Sequence, residues 1–279
     1  MKIIADCGAT KSEWAIIRSN GEIRRLTADG INVSAMSAES IIGIISDIAG
    51  KISAADTSAA EIYLYVAGIP TEDIRSRIES CFSSHFPVAS FSIESDLLGA
   101  ARAVCGHAPG IAAIIGTGSN SCQFDGTQIT KRVYSGGFIL GDEGSAATLG
   151  KLFVSDFLKG LVPTEIASEF SARFPSDYAA IVANVYHSSG SPSGYLGSLA
   201  PFILKHYGHP YIKELTDGNF RNFFRRCIKQ YDTDNHHVGV VGGFAYALKD
   251  IILRIASEEE IRISGFIKSP IEGLVDYHS

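Results

Sequence analysis

Asp6-Cys7-Gly8-Ala9-Thr10-Lys11-Ser12 follows one short apolar run, Lys2 to Asp6, and leads at once into a second, Glu13 to Ile17. Small and hydroxyl-bearing residues between two such runs predict a tight strand-to-strand turn. The segment ends in Lys-Ser like a P-loop, but that motif needs Gly immediately before the Lys, where Thr10 stands, and a helix after it. A later turn, Gly116-Thr117-Gly118-Ser119-Asn120-Ser121, begins like a dinucleotide fingerprint, yet Ser121 holds the place of the third Gly and no helix follows. Both turns therefore read as strand-to-strand hairpins whose backbone N–H groups and hydroxyls can surround phosphate oxygens. Either turn alone is equally well an ordinary β-turn; the pair argues for phosphate binding.

The pattern around each turn is the same. Asn20-Gly21 is a hairpin signal before Glu22 to Thr27, so the chain opens as an antiparallel meander. Ile41, Ile44, Ile45 and Ile48 then recur at helical spacing over Ser37 to Ile52, with Ser37 as N-cap. Next come a strand at Glu61 to Ala67, a helix near Thr71 to Ser84, and a strand at Ala89 to Glu94 running into Asp96 and another helix. The order restarts with Ile111 to Ile115, the glycine turn, Ser121 to Phe124, the Asp125-Gly126 hairpin and Gln128 to Val133. Residues 142–229 read as mainly helical, with Gly141-Asp142-Glu143-Gly144-Ser145 opening a helix. Val238 to Val241 is a buried strand feeding the helix Phe244 to Ile255, and Pro270 to Tyr277 is a last strand or helix. A meander followed by alternating helix and strand, given twice, predicts an α/β protein of two related lobes, residues 1–106 and 107–279, the last segment free to dock back on the first.

Bulk properties agree with a globular protein of that size. The 279 residues are 46% hydrophobic and 19% charged. A net charge of −6 gives no footprint for a nucleic acid, and no apolar stretch reaches the roughly 20 residues that span a bilayer. The chain opens as a strand rather than a signal peptide, so a cytoplasmic location is expected. Five scattered cysteines without a C-x-x-C pair suggest neither a disulfide framework nor a zinc site.

Four blocks together resemble the actin-like ATPase superfamily that includes Hsp70 and sugar kinases, specifically its BadF/BadG/BcrA/BcrD-type and N-acetylglucosamine kinase group. Asp6-x-Gly8-x-Thr10-Lys11-Ser12 is similar to the first phosphate motif and Ile115 to Ser121 to the second. Gly136-Gly137-Phe138-Ile139-Leu140-Gly141-Asp142-Glu143-Gly144-Ser145 resembles the group's most distinctive block, and Val241-Gly242-Gly243-Phe244-Ala245 its adenosine turn. Pro270-x-Glu272-Gly273-Leu274 resembles its usual ending.

The resemblance implies two actin-like (ribonuclease H-like) lobes, each a mixed sheet of meander and parallel strands flanked by helices, with ATP in the cleft. It implies that Gly8, Thr10, Lys11, Gly116, Thr117, Gly118, Ser119, Gly242 and Gly243 bind ATP. Asp6 would hold Mg²⁺ directly or through water. Asp96 would be the catalytic base; the residues alone leave it equally a cap for a helix beginning at Leu97. Asn32, Asn120, Gly137 and Asp142 would bind the acceptor sugar, Asp142 being alternatively a helix cap. The group usually carries an aromatic residue and a His before Gly-Asp-Glu-Gly-Ser, where this chain has only Gly137-Phe138-Ile139-Leu140. The expected activity is ATP-dependent phosphorylation of an amino sugar such as N-acetylglucosamine, with no nucleic-acid or membrane partner and a homodimer left open. The alternatives are an ATP-driven activator of a reductase or dehydratase, and a sugar or ATP sensor without turnover.

Overall fold

The structure is a computed structural model that describes residues 1–8, 11–33, 36–53, 61–68, 71–87, 89–187 and 191–279. In chain order the first elements are β1 (Lys2–Cys7), β2 (Lys11–Ile17), β3 (Ile23–Asp29), α1 (Ala38–Ser53), β4 (Glu61–Val66), α2 (Glu72–Ser83), β5 (Ser90–Ser95) and α3 (Asp96–Cys105). There follow β6 (Gly110–Ile115), β7 (Ser119–Phe124), β8 (Ile129–Val133), α4 (Gly137–Leu140), α5 (Ala146–Leu158), α6 (Thr164–Arg173) and α7 (Tyr178–Val182). A π-helical turn, Ala183–His187, precedes α8 (Pro192–Ser198), α9 (Ala200–Lys205) and α10 (Pro210–Arg226). The chain ends with β9 (Val238–Val241), α11 (Gly243–Ala247), α12 (Lys249–Glu258), β10 (Ile263–Ile267) and α13 (Ile271–His278). Among the described residues no helix is long and apolar enough to cross a membrane.

Two compact units result. The first comprises Met1–Ala108, Gly126–Gln128 and Ser269–Ser279; the second comprises Pro109–Asp125 and Ile129–Lys268. Each holds one five-stranded sheet, in the order β3-β2-β1-β4-β5 and β8-β7-β6-β9-β10. In both, the first three strands are an antiparallel meander and the last two run parallel to the first strand. The repeat read from the turns is thus a repeat of topology. The fifth strand of the second sheet, β10, carries no expectation from the sequence: Ile263-Ser264-Gly265-Phe266-Ile267 is short and broken by Gly265, where its pairing with β9 slips.

Alternation along the strands decides which helices cover which face. Ile3, Ala5, Cys7, Trp14 and Ile16 pack with Ile41, Ile45 and Ile48 of α1 and with Ile78 and Phe82 of α2. The opposite face, through Ile4, Ala15 and Tyr65, meets Ile271, Leu274 and Val275. Pro270 to Tyr277 therefore resolves as a helix, α13, grouped with the first unit. In the second unit Ile111, Ala113, Ile115, Val238 and Val240 pack on Phe220, Phe223 and Phe224 of α10 and Ile252 and Ile255 of α12. Leu149, Phe153, Phe170 and Phe202 join α5, α6 and α9 in a separate apolar core.

Gly273 sets the distance between α13 and α3, because a Cβ there would lie 2.2 Å from the Ala103 carbonyl oxygen. Gly273→Ala should push the helices apart and destabilise the protein by about 1–3 kcal/mol. A lowered urea midpoint without a changed denaturant slope checks this.

Candidate functional site

In the first unit the chemistry gathers at one sheet edge. β1, β4 and β5 run parallel, so their C-terminal ends share that edge, where open α/β sheets bind ligands. Asp6 and Gly8 come from the end of β1, and Asp96 follows β5 directly. Asn32 is bridged to Ala67 at the end of β4, and its carbonyl accepts the Met36 N–H at 3.0 Å. Lys11 opens β2, its ammonium exposed and 2.6 Å from Glu13. Thr10, expected among the phosphate donors, lies outside the described residues.

The hairpin register places Asp6 opposite Glu13, on the same face as Ile4, Ala15 and Tyr65. Burial, then the charge of Asp96, then that of Glu13, push the Asp6 carboxyl up to about 7, and Lys11 opposes the shift. Asp6 thus stands with two further carboxylates, Asp96 and Glu13, whose charges act on it. Among the described residues no three His, Cys, Asp or Glu side chains form a metal cage. The set suits an ion held by one or two carboxylates that completes its shell with water and phosphate, as Mg²⁺ does. Glu13 was not foreseen as part of the site. Its signal was the Asp6 to Glu13 spacing across a tight hairpin, which seats two carboxylates opposite each other.

The capping alternative for Asp96 is corrected by the structure. Ser95 is the N-cap, its hydroxyl accepting the Leu98 N–H at 3.3 Å, and Asp96 is the first residue of α3. The carboxylate thus stands in the first turn of α3, one residue past the cap. α3 itself is seated by Gly99, where a Cβ would lie 2.7 Å from the Tyr65 ring. That ring is pinned by Arg102 Nη1 donating to its hydroxyl at 2.9 Å and by His278 Nε2 at 2.8 Å. A glycine inside a helix costs about 1 kcal/mol relative to alanine, and here close packing against Tyr65 offsets that.

In the second unit three glycine blocks converge. The turn Gly116 to Gly118 closes with Gly116 N–H donating to the Gly118 carbonyl at 2.9 Å. The first amides of α5, Ala146 and Ala147, donate to the Gly116 and Thr117 carbonyls, each at 3.0 Å. Ser119 Oγ donates to the Glu143 carbonyl at 2.8 Å. The Gly-Asp-Glu-Gly-Ser block thus clamps the turn from behind. Gly242, at φ 129°, stands where a Cβ would be 2.4 Å from the Ile115 carbonyl oxygen, so only glycine brings the end of β9 beside the turn. At Gly116 and Gly243 a Cβ would meet no protein atom, which leaves room for a ligand instead.

Asp142 is buried and sits in the left-handed region at φ 56°. It is not the cap of α5: Ser145 is, accepting the Thr148 N–H at 3.1 Å. Burial pushes the Asp142 carboxyl up, while the Ser119 N–H and the charge of Lys151 oppose the shift. The block is held from α10 by Asn219, a residue sequence reasoning missed. Its Oδ1 accepts the Gly144 N–H at 2.8 Å and its Nδ2 donates to the Ser145 carbonyl at 3.0 Å. Its only signal was a polar residue among the apolar positions of a helix. Asn120 lies on β7 opposite Ile114, its Oδ1 accepting the Ser121 N–H, and Gly137 begins α4 at φ 67°.

No family model and no curated sequence matches the chain. Among solved structures it is similar to a candidate N-acetylglucosamine kinase from Porphyromonas gingivalis, with 31% identity and a TM-score of 0.89 over 100% of this chain and 98% of that one. A candidate N-acetylglucosamine kinase from Chromobacterium violaceum shares the fold at 19% identity and a TM-score of 0.79, over 100% and 98% of the two chains. A ROK family glucokinase from Streptomyces griseus, solved with glucose and AMPPNP, shares it at 16% identity and a TM-score of 0.56, over 99% and 97%.

A carboxyl raised from 3.8 to about 7 opposes folding above that pH and ceases to do so below 3.8, because the folded state binds its proton more tightly. Asp6→Asn should therefore raise the melting temperature in metal-free buffer at pH 8, with the gain vanishing towards pH 4. Calorimetry across that range measures it.

Proposed function

The chain belongs to the same family as the candidate N-acetylglucosamine kinase of Porphyromonas gingivalis, and on that footing we propose that it is an ATP-dependent kinase phosphorylating a hydroxyl of an amino sugar, N-acetylglucosamine or a related hexosamine. The observation that carries the reading is the pair Asp6 and Asp96: two carboxylates at the C-terminal edge of one parallel sheet, the charge of one acting on the other. Asp96 accepts the proton of the acceptor hydroxyl as its oxygen bonds to the γ-phosphorus and the bond to the ADP oxygen breaks. Asp6, with Glu13 beside it, would hold Mg²⁺, which when bound neutralises charge on the phosphates. Gly8 and Lys11 supply a backbone and an ammonium donor to phosphate oxygens, and Thr117 and Gly118 supply donors likewise, while the Gly116 N–H and both donors of Ser119, engaged within the protein, hold the second turn in shape.

Gly242 and Gly243 lie where the backbone can approach adenine and ribose. Sugar hydroxyls need polar partners, since each buried donor or acceptor left unpaired costs about 1–3 kcal/mol. Asn32, Asn120, Asp142 and the backbone at Gly137 supply them. AMPPNP and glucose in the Streptomyces griseus glucokinase support a nucleotide and a sugar as the two ligands.

Sugar-dependent ADP release over a panel of amino sugars and hexoses tests the proposal. N-acetylglucosamine or a close relative should raise turnover well above the sugar-free rate; no response from any sugar would sink the kinase reading. Asp96→Asn should lower kcat by about 10²-fold or more with the Kd for ATP little changed. Gly242→Ala, which drives a Cβ into the Ile115 carbonyl, should weaken nucleotide binding about tenfold or more, read by calorimetric titration of AMPPNP.

A further inference from the structure

A cavity lies in the helical part of the second unit. It has a volume of about 580 Å³ and is walled by α4, α5, α7, α8 and the π-helical turn Ala183–His187. That size is within the range of about 300–1,000 Å³ usual for small-molecule sites. The walls are aliphatic and aromatic, among them Phe138, Ile139 and Val154. Tyr178 and Tyr186 stand at 72% and 76% exposure and Ile139 at 72%, which is more apolar surface than an isolated patch normally leaves in water. The π-helical turn is an irregularity that recurs where helices build ligand sites.

One cation enters this apolar wall. The Lys151 ammonium lines the cavity and donates to the Phe138 carbonyl at 2.6 Å. An ammonium has three donors, of which this bond takes one, and the charge also acts on Asp142, where it opposes the raising of that carboxyl by burial. We infer that the cavity binds a small amphipathic anion, an apolar body carrying one carboxylate that pairs with Lys151. The apolar body covers Ile139 and the two tyrosines, and the carboxylate takes the remaining donors of the ammonium. Since Lys151 also holds the Phe138 carbonyl, the ligand's occupancy is felt by α4, the turn that leads into Asp142. The assignment stands apart from the kinase reading and rests on the cavity and its single cation.

Calorimetric titration of the full chain with octanoate and octan-1-ol tests it. Octanoate should bind saturably at one site per chain, about tenfold more tightly than the alcohol, as expected of a charge-assisted hydrogen bond. Lys151→Met should bring octanoate down to the affinity of the alcohol, and Lys151→Arg should keep the preference. Tyr186→Ser, at an exposed rim position, should weaken both ligands and preserve their ratio. The inference is overturned if octanoate does not saturate, or if its preference over the alcohol survives Lys151→Met. It is equally overturned if sedimentation shows a dimer that Tyr186→Asp dissociates, since the face would then join two copies of the chain.

Discussion

Three carboxylates near one another, one of them largely out of water, repel unless something positive comes between them. That constraint organises the first unit. The hairpin register sets Asp6 opposite Glu13, and the length of β5 delivers Asp96 at the head of α3. Burial and the two neighbouring charges lift the Asp6 carboxyl to about 7. Lys11 answers only part of this, from an exposed position where attraction is screened. The surrounding packing holds this arrangement in place: α13 against α3 at Gly273, and α3 against Tyr65 at Gly99.

The second unit repeats the sheet and discards the charge. Counting from the pair that closes each turn, Cys7 with Ser12 and Ile115 with Ser119, the place of Asp6 is taken by Ile114 and that of Glu13 by Asn120. One strand scaffold thus carries two kinds of edge. The first is acidic. The second is a ring of backbone groups, held by α5 amides on the turn carbonyls and by Asn219 on the block that opens α5. Because those amides and carbonyls are already engaged with each other, the turn is rigid before any ligand arrives.

Much of this was written in the sequence, because turn chemistry and strand period are local. Asn20-Gly21 and Asp125-Gly126 announce the hairpins, and the apolar run that ends at Asp6 announces the first strand. The twofold meander, the helix capped by Ser37 and the glycine turns all follow from neighbours within a few residues. β10 did not follow, since five residues interrupted by Gly265 have too little period to show, and they become a strand only by pairing with β9. The helix expected from Phe244 to Ile255 is divided at Leu248 into α11 and α12.

What the sequence determined by itself was most of the elements, their order and the two turns, because backbone sterics and hydrophobic period act over a handful of residues. What the tertiary structure alone decided was which polar groups meet. A one-residue difference separates Ser95 from Asp96 as the cap of α3, and the choice puts Asp96 in the first turn at the sheet edge. Glu13 joins Asp6 through register, Asn219 reaches Gly144 from 75 positions away, and Tyr65 seats α3 across the sheet. Such meetings depend on long-range packing, whose partners no local signal names.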